Sequence, residues 1–412
     1  MRLIHTSDWH LGHTLRGEVS REYEHAGFLA WLLETCVREA ADALVITGDV
    51  FDSATPPASA ERMWFELLAA VRRARPAIDI VAIAGNHDSP ARLGAASSVL
   101  RELAVHVVGS LPRRDDGALD LDRILIPVAG GRGLVAAVPF LRPVDVPGEV
   151  EEPLTAIYGE VMAAARARRR PDQALIVTGH LYVAGADTQY LSERRVSIGG
   201  QESAPLRLFP DDIDYVALGH IHRPQRVGRP SIRYAGAPLP LSLDEADYKN
   251  QVVAIDFAAG RIHDLRSLAV PRVVEIVRVP RRPGGSGRAG APLAEVLAEL
   301  AQLPRLVPGD PARPYLEVVV ALDRPEPKLR AAVEAALDGK RPRLVRLGVE
   351  LTGAGGALGD RVVQQRLAEL DPRDVFVRLW GRDHAEPPSD AVLAGFDDLL
   401  AEVHGDREDV VS

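Results

Sequence analysis

The chain has a single cysteine, Cys36, among its 412 residues. No disulfide can therefore form within the chain, which excludes the class of small secreted domains held together by disulfides. Cys36 lies in a helical pattern of apolar residues, so we expect a small buried hydrophobic side chain rather than a reactive thiol. Such sparing use of cysteine is typical of a reducing cytoplasm, and a cytoplasmic location is expected.

Long apolar runs are also lacking, since no stretch approaches the ~20 residues that a membrane helix needs. A leader peptide is not expected, because a candidate metal ligand, Asp8, already follows only seven residues. The chain also lacks the G-x-x-x-x-G-K-[ST] pattern of a phosphate-binding loop. We therefore expect a soluble protein with no membrane partner and no ATP site of its own.

Excess positive charge is missing as well, because 49 basic and 58 acidic residues give a net charge of −9. The charge is uneven, with 14 basic and 10 acidic side chains in residues 271–350 but 6 and 13 in residues 351–412. Bound metal ions would offset part of the deficit in residues 1–270. Nucleic acid is not excluded as a substrate, but this chain alone is not expected to bind it tightly.

Five short polar blocks stand out, and each follows or ends an apolar, β-branched run. They are Asp8-Trp9-His10, Gly48-Asp49-Val50-Phe51-Asp52, Gly85-Asn86-His87-Asp88, Gly179-His180 and Gly219-His220-Ile221-His222. Buried strands that end in Asp, Asn or His place these side chains on loops at one edge of a sheet. Four of the blocks begin with glycine, whose missing Cβ allows the close approach that a crowded metal site needs.

These blocks resemble the calcineurin-like metallophosphoesterase superfamily, and residues 4–12, 85–89 and 219–223 are similar to the DNA-repair nucleases of the SbcD type. Residues 139–143 and 234–242 agree as well, apart from Ala237, where the family is expected to favour Ser. The resemblance is strong over residues 1–270 and weaker towards the C-terminus. It implies an α/β fold in which a β-sandwich flanked by helices carries a small α/β capping domain and a C-terminal helical segment that binds a partner.

The resemblance implies a centre with two metal ions. The first ion would take Asp8, His10, Asp49 and His222, and the second would take Asp49, Asn86, His180 and His220. Two ions about 3.5–4 Å apart clamp the reacting oxygens of a phosphodiester and acidify the attacking water. Mixed imidazole, carboxylate and amide ligands suit Mn²⁺, with Fe or Zn as alternatives, and the lack of Cys ligands argues against a structural zinc.

His87 stands beside a ligand but is not a ligand in the family. It is expected over the scissile phosphate, where it would stabilise developing charge or protonate the leaving oxygen. Asp88 is expected to orient His87, and Asp52 to support the ligands from outside. The remaining histidines are interpreted as core or surface residues: His5, His13, His25, His106, His263, His384 and His404.

Three segments are expected along the chain. Residues 1–270 alternate strands and helices and form the nuclease domain, with helices predicted at 58–73 and 91–103, a region through which related nucleases dimerise. Residues 271–352 read as a basic βαβαβ unit, with strands at 273–279, 316–322 and 344–351 and helices at 293–303 and 328–337, and form a DNA-contacting capping domain.

Residues 353–412 follow a glycine-rich break and contain two predicted helices, at 361–370 and 390–404. The second helix carries one apolar stripe: Val392, Leu393, Phe396, Leu399, Leu400 and Val403. The stripe packs either on its own domain or on a partner, and the resemblance favours a partner.

The resemblance implies the nuclease subunit of an SbcCD-type complex, which digests double-stranded DNA ends from 3' to 5' and cuts single strands and hairpins in DNA repair and recombination. The implied partners are an SbcC-type coiled-coil ATPase and a second copy of this chain, in a heterotetramer. A phosphoesterase acting on small molecules or phosphoproteins is the alternative, since the metal site alone does not separate the two. A scaffold protein that has lost its metals is disfavoured, because all seven ligands and His87 are present.

Overall fold

The computed structural model describes residues 1–17, 19–145, 152–187, 203–281, 289–352, 380, 388–389, 392–393 and 395–396. Residues 1–351 form one compact unit, and residues 352–412 form a second. The helix predicted at 361–370 lies outside the described residues, as does the helix predicted at 390–404 apart from four of its positions. No helix within the described ranges has the length and apolar character needed to cross a membrane.

Among the described residues of the first unit, strands outnumber helices. The strands are β1 Arg2–Thr6, β2 Thr14–Leu15, β3 Val19–Ser20, β4 Ala43–Thr47, β5 Asp79–Ile83, β6 Val105–Val108, β7 Leu125–Val128, β8 Gly133–Ala136, β9 Ala174–His180, β10 Tyr215–Gly219, β11 Gln225–Val227, β12 Arg229–Tyr234, β13 Gln251–Ala258, β14 Arg261–Ala269, β15 Ile276–Val279, β16 Ala291–Pro292, β17 Tyr315–Leu322 and β18 Arg343–Leu351. The α-helices are α1 Glu22–Arg38, α2 Ala58–Ala74, α3 Pro90–Gly94, α4 Ser97–Glu102, α5 Leu121–Ile124, α6 Pro153–Arg168, α7 Leu293–Ala301 and α8 Leu329–Ala336.

Two six-stranded sheets form a sandwich. The first has the order β14-β13-β1-β4-β5-β6, and its strands β1, β4, β5 and β6 are parallel. The second has the order β11-β12-β10-β9-β8-β7, with β12, β10, β9 and β8 parallel. One apolar core lies between the two sheets, and two more lie beneath the helices on their outer faces. The expected β-sandwich flanked by helices is confirmed.

The strands before the polar blocks carry buried residues on both of their faces, because both faces of each sheet are covered. On β1, Leu3 packs into the core between the sheets, while Ile4 packs under the helices. Successive side chains of a strand point to opposite faces, so a strand buried on both sides needs no polar residue. Parallel neighbours end at the same edge, and this brings the five blocks together.

A third sheet of four strands follows in residues 276–351, with β17 paired in parallel to β15, β16 and β18. Helices α7 and α8 cover its own apolar core, as the βαβαβ pattern predicts. The strand predicted from residue 273 begins only at Ile276. Val274, before the strand, is buried in a small apolar cluster with Leu15 and Leu243.

The single helix predicted at 91–103 is wrong. The structure has two short helices there, α3 and α4, and the break follows Gly94. Ser89 caps the first helix by accepting a hydrogen bond from the Arg92 backbone N–H. Glycine has a high conformational entropy in the unfolded chain, which weakens a helix at this position.

Candidate metal centre

The ends of five parallel strands bring the predicted ligands to one edge of the sandwich. Asp8 and His10 follow β1, Asp49 follows β4, Asn86 follows β5, His180 ends β9, and His220 and His222 follow β10. Main-chain hydrogen bonds from Asp8 N to Gly48 O and from His10 N to Asp49 O, both 3.0 Å, tie the first two loops together. All seven predicted ligands therefore lie at one place.

Four of these seven residues have a left-handed backbone, with φ of 54° at Asp8, 47° at His10, 48° at Asp49 and 98° at His220. This region is unfavourable for residues with a side chain, and such strain concentrates at functional sites. The surrounding hydrogen bonds and packing must hold these residues in place. The centre is thus organised by the fold rather than by local preference.

The predicted ligands form two groups that share Asp8. Ligand atoms of Asp8, His10 and His222 lie within 4.8 Å of one another, and so do those of Asp8, Asp49 and His180. A third group joins His10 and Asp49 to His87, which is not a predicted ligand. The Asp49 Oδ2 atom is 3.6 Å from His10 Nε2 and 3.3 Å from His180 Nε2. The Asn86 Oδ1 atom is 3.0 Å from both His180 Nε2 and His220 Nδ1.

The electrostatics of the centre favour bound cations. Asp8 and Asp49 are buried, and buried carboxylates require a positive partner. Burial alone would lower the pKa of His180, but the Asp49 carboxylate outweighs it and raises that pKa to about 9. The buried His10 Nε2 atom has no hydrogen-bond partner within the described part of the chain. Two carboxylates, an amide oxygen and several imidazoles are donors that suit divalent metal ions.

At two of the polar blocks, the structure shows why the first residue is glycine. Gly48 has φ +87°, and a Cβ there would overlap the His180 ring. A Cβ at Gly219 would overlap the carbonyl oxygen of Thr47. The close approach expected at these glycines is confirmed.

In three of the predicted histidine ligands, the Nδ1 atom contacts a group that is not itself a predicted ligand. His10 Nδ1 is 3.2 Å from Asp52 Oδ1, His180 Nδ1 is 2.9 Å from the Thr47 carbonyl oxygen, and His222 Nδ1 is 3.1 Å from Glu245 Oε1. A ring nitrogen that donates outwards fixes the tautomer that offers the other nitrogen to a metal.

Of these partners, the sequence indicated only Asp52. A carbonyl oxygen carries no sequence signal, and no motif spacing marks Glu245. His13 was interpreted as a core or surface residue, yet its Nδ1 lies 2.9 Å from Asp52 Oδ1. It therefore supports Asp52, and its position three residues after His10 was the only available signal.

His87 is exposed beside the two groups of donors. Its main-chain N–H donates to Asp49 Oδ1 at 2.9 Å, and its Nδ1 atom is 2.8 Å from the Asp52 carbonyl oxygen. Its ring centroid is 4.8 Å from that of His10. The side chain thus reaches solvent at the rim of the centre while its backbone is anchored within it.

Asp88 has different contacts from those expected. Its carboxylate accepts hydrogen bonds from the N–H groups of Gly85, Val50 and Phe51 at 2.8, 3.2 and 2.9 Å. Burial, followed by repulsion from Asp49, raises the pKa of Asp88 to about 6. In place of the expected contact with the His87 ring, Asp88 joins the loop after β4 to the loop after β5.

Comparison with known proteins matches two parts of the chain. Residues 1–224 match the calcineurin-like phosphoesterases, and residues 272–383 match the type 5 capsule protein repressor C-terminal domain. The SbcD subunit of the nuclease SbcCD from Rhodobacter capsulatus is 40% identical over 400 residues, which cover 92% of this chain and 94% of that protein. The SbcD proteins of Escherichia coli K12 and Bacillus subtilis are 37% and 38% identical, over 66% and 63% of this chain and 68% and 67% of their own lengths.

Proposed function

This chain belongs to the calcineurin-like phosphoesterases, in the family of the SbcD subunit of the nuclease SbcCD, and from this premise we propose that it hydrolyses DNA phosphodiesters with two Mn²⁺ ions. The single observation that carries the proposal is the meeting of seven donor residues at one edge of the sandwich, where Asp49 Oδ2 lies 3.6 Å from His10 Nε2 and 3.3 Å from His180 Nε2. An enzyme of this family is a metal-dependent nuclease, and this site has the donors that such an enzyme needs.

The proposed ligand sets are those that the sequence predicts. Asp8, His10, Asp49 and His222 would bind the first ion, and Asp49, Asn86, His180 and His220 would bind the second, with Fe or Zn as alternatives to Mn²⁺. When bound, the two ions neutralise the charge of the phosphodiester and activate the attacking water. Asp49 is the shared ligand because its Oδ2 atom faces an imidazole of each group.

His87 is the proposed catalytic residue. Its Nδ1–H donates to the Asp52 carbonyl oxygen, so protonation of the ring places the second N–H on Nε2. That group can donate to a phosphate oxygen or to the leaving oxygen. Asp88, expected as a second catalytic residue, instead positions the loop that carries Asn86 and His87.

The substrate and partners follow from the family. Double-stranded DNA ends and hairpins are the proposed substrates, and an SbcC-type ATPase is the partner in an SbcCD complex. We assign residues 1–270 to the nuclease domain, 271–352 to a capping domain that contacts DNA, and 353–412 to binding of the ATPase. A homodimer within a heterotetramer and a cytoplasmic location complete the proposal.

The alternative, a phosphoesterase for small molecules or phosphoproteins, is not favoured. The relative from Rhodobacter capsulatus matches 92% of this chain, far beyond the metal site. A small-molecule phosphoesterase has no need of a third sheet and a further segment. The additional residues are better explained by DNA and a partner.

One experiment separates the two functions. The purified chain is incubated with Mn²⁺ and either an end-labelled DNA duplex or a small phosphodiester, with a chelator as the control. Release of nucleotides from the duplex ends that stops when the chelator is added supports the nuclease function. Rapid hydrolysis of the small phosphodiester, while the DNA duplex remains uncut, would overturn the nuclease function.

A further inference from the structure

Glu245 is a buried carboxylate in contact with a candidate metal ligand. It lies in a 3-10 turn, Leu243–Glu245, and none of its surface is exposed. Its Oε1 atom is 3.1 Å from His222 Nδ1, and its Oε2 atom accepts a hydrogen bond of 2.8 Å from Leu241 N–H. The carboxylate is therefore fixed in position by the backbone and directed at one imidazole.

This contact determines which nitrogen of His222 can bind a cation. With Nδ1–H donating to Glu245, the lone pair lies on Nε2, the form that a metal accepts. The negative charge of Glu245 also makes that lone pair a stronger donor. His10 has the same arrangement with Asp52, at 3.2 Å. Both imidazoles of the first group therefore have a carboxylate behind them.

The turn that carries Glu245 is held by arginines of the third sheet. Arg346 of β18 binds both carboxylate oxygens of Asp244, at 2.9 and 2.8 Å. Arg278 of β15 binds Asp247 at 3.1 Å and the Leu243 carbonyl oxygen at 3.2 Å. Two-point ion pairs of this kind fix orientation as well as distance. Contacts on both sides of Glu245 thus come from the third sheet.

Both arginines also bind one buried residue. Glu317 of β17 is 1% exposed, and its carboxylate lies 2.9 Å from Arg346 and 3.0 Å from Arg278. Buried ion pairs contribute little net stability but set geometry closely, because breaking one leaves an uncompensated charge. We name Arg278, Glu317 and Arg346 the arginine clamp.

We propose that Glu245 is a positioning residue for His222, and that the arginine clamp holds Glu245 in place so that the third sheet sets the metal affinity of the centre. The inference rests on the proposed two-metal site. The path is continuous: the clamp holds the turn, the turn holds Glu245, and Glu245 orients the imidazole. Movement of the third sheet would therefore change how well the first ion is held.

Glu245→Gln tests the first contact with Mn²⁺ alone. The amide keeps the size of the side chain but removes its charge, and loss of such an outer partner commonly weakens metal binding about 10- to 100-fold. Calorimetric titration should show two Mn²⁺ per wild-type chain and one weakened site in the variant. DNA cleavage should recover at high Mn²⁺, which a merely structural defect would not allow. Two unchanged sites in the variant would overturn the role of Glu245.

Arg346→Ala tests the clamp without touching His222, and it keeps the test open if Glu245→Gln does not fold. Coupling through such contacts predicts a loss of Mn²⁺ affinity of roughly 2- to 30-fold. The matched control is Arg341→Ala, which breaks an ion pair with Asp310 of 2.7 Å elsewhere in the same part of the chain and should leave affinity unchanged.

Equal affinity in the Arg346→Ala and Arg341→Ala chains would overturn the clamp. Failure of the wild-type chain to bind two ions would instead count against the proposed metal centre. The two failures are therefore distinguishable.

Discussion

Asp49 directs its two carboxylate oxygens at different parts of the centre. Oδ1 accepts the His87 main-chain N–H, while Oδ2 faces His10 and His180. The ring of His180 and then that of His10 hold the pKa of Asp49 far below its usual range, against the opposing effect of burial. The residue is thus ionised, and its Oδ2 atom faces one imidazole of each proposed ligand set.

Asp49→Asn should abolish DNA hydrolysis and reduce bound Mn²⁺ below two per chain. Asn is chosen because φ is 48° at this position, and Asn tolerates the left-handed region better than Ala does. Elemental analysis measures the metal, and circular dichroism should show an unchanged fold. Asp264→Asn, at an exposed carboxylate of β14, is the control. Cleavage near the wild-type rate would refute the shared role of Asp49.

His87→Gln should keep both metal ions and DNA binding but cut DNA ~10²–10³ times more slowly, the usual effect of removing one transition-state donor. Metal should be retained because the seven proposed ligands are unchanged and the His87 main-chain N–H still donates to Asp49 Oδ1. Single-turnover cleavage at saturating Mn²⁺ measures the rate. Loss of metal from this variant would show that His87 is itself a ligand.

His25 makes the stability of the fold depend on pH. Burial, and then Arg21, lowers its pKa to about 3, and neither ring nitrogen has a hydrogen-bond partner among the described residues. The unfolded chain, with an ordinary pKa near 6.5, therefore binds more protons as the pH falls below that value, and stability decreases.

Between pH 6.5 and 5, His25 should lower the free energy of unfolding of the wild-type protein by roughly 1–2 kcal/mol, and this part of the decrease should be absent in His25→Met. Urea unfolding at several pH values, with a chelator present, measures the free energy of unfolding of both proteins. The other groups titrate alike in both, so their effect cancels in the difference between the two proteins. His263→Gln, at an exposed residue, should behave as the wild type does. Parallel pH curves for wild type and His25→Met would contradict the argument.

Five strands were predictable because each has apolar residues on both faces and leads into a polar block. The candidate ligands followed from that pattern, and their division into two sets came from the resemblance alone. The tertiary contacts did not follow from it: Glu245 contacts His222 from a turn 23 residues further along the chain, and Val274 is buried in an apolar cluster with Leu15 and Leu243. Local periodicity also overlooked the break after Gly94, because apolar spacing continues across it.

Gly219→Ala should disturb the centre through the packing of two strand ends. The added Cβ would overlap the Thr47 carbonyl, which holds His180 Nδ1. We expect a lower melting temperature and loss of Mn²⁺ together. Gly94→Ala is the matched control, since a Cβ there meets no atom within 4 Å, and the reduced freedom of the unfolded chain should raise stability by roughly 0.4–1 kcal/mol. Equal effects of the two substitutions would contradict this account.

The surfaces that bind DNA and partner proteins depend on more than this chain. Residues 1–351 form a compact unit that contains every proposed metal ligand. Because the net charge is negative, we expect that a partner protein contributes much of the affinity for the proposed DNA substrate. A dimer surface and a DNA path depend on second molecules, so neither the sequence nor this fold defines them.

Truncation after Gly356 should separate hydrolysis from partner binding. The proposed nuclease and capping domains remain, so slow Mn²⁺-dependent digestion of DNA should continue. Association with the ATPase should be lost, and with it any ATP-stimulated cutting of duplex ends and hairpins. Copurification from cells that express both chains measures the association.

The apolar stripe, rather than the acidic charge of the last segment, should carry the contact. Burying each Leu, Phe or Val contributes roughly 1.5–3 kcal/mol, whereas charges at the rim of an interface mainly change the association rate. Phe396→Asp with Leu399→Asp should therefore mimic the truncation even at low salt. The matched control, Asp397→Asn with Asp398→Asn, alters the same predicted helix and should still copurify with the ATPase. If the chain with two new aspartates also copurifies, the stripe packs within its own chain and the partner is bound elsewhere.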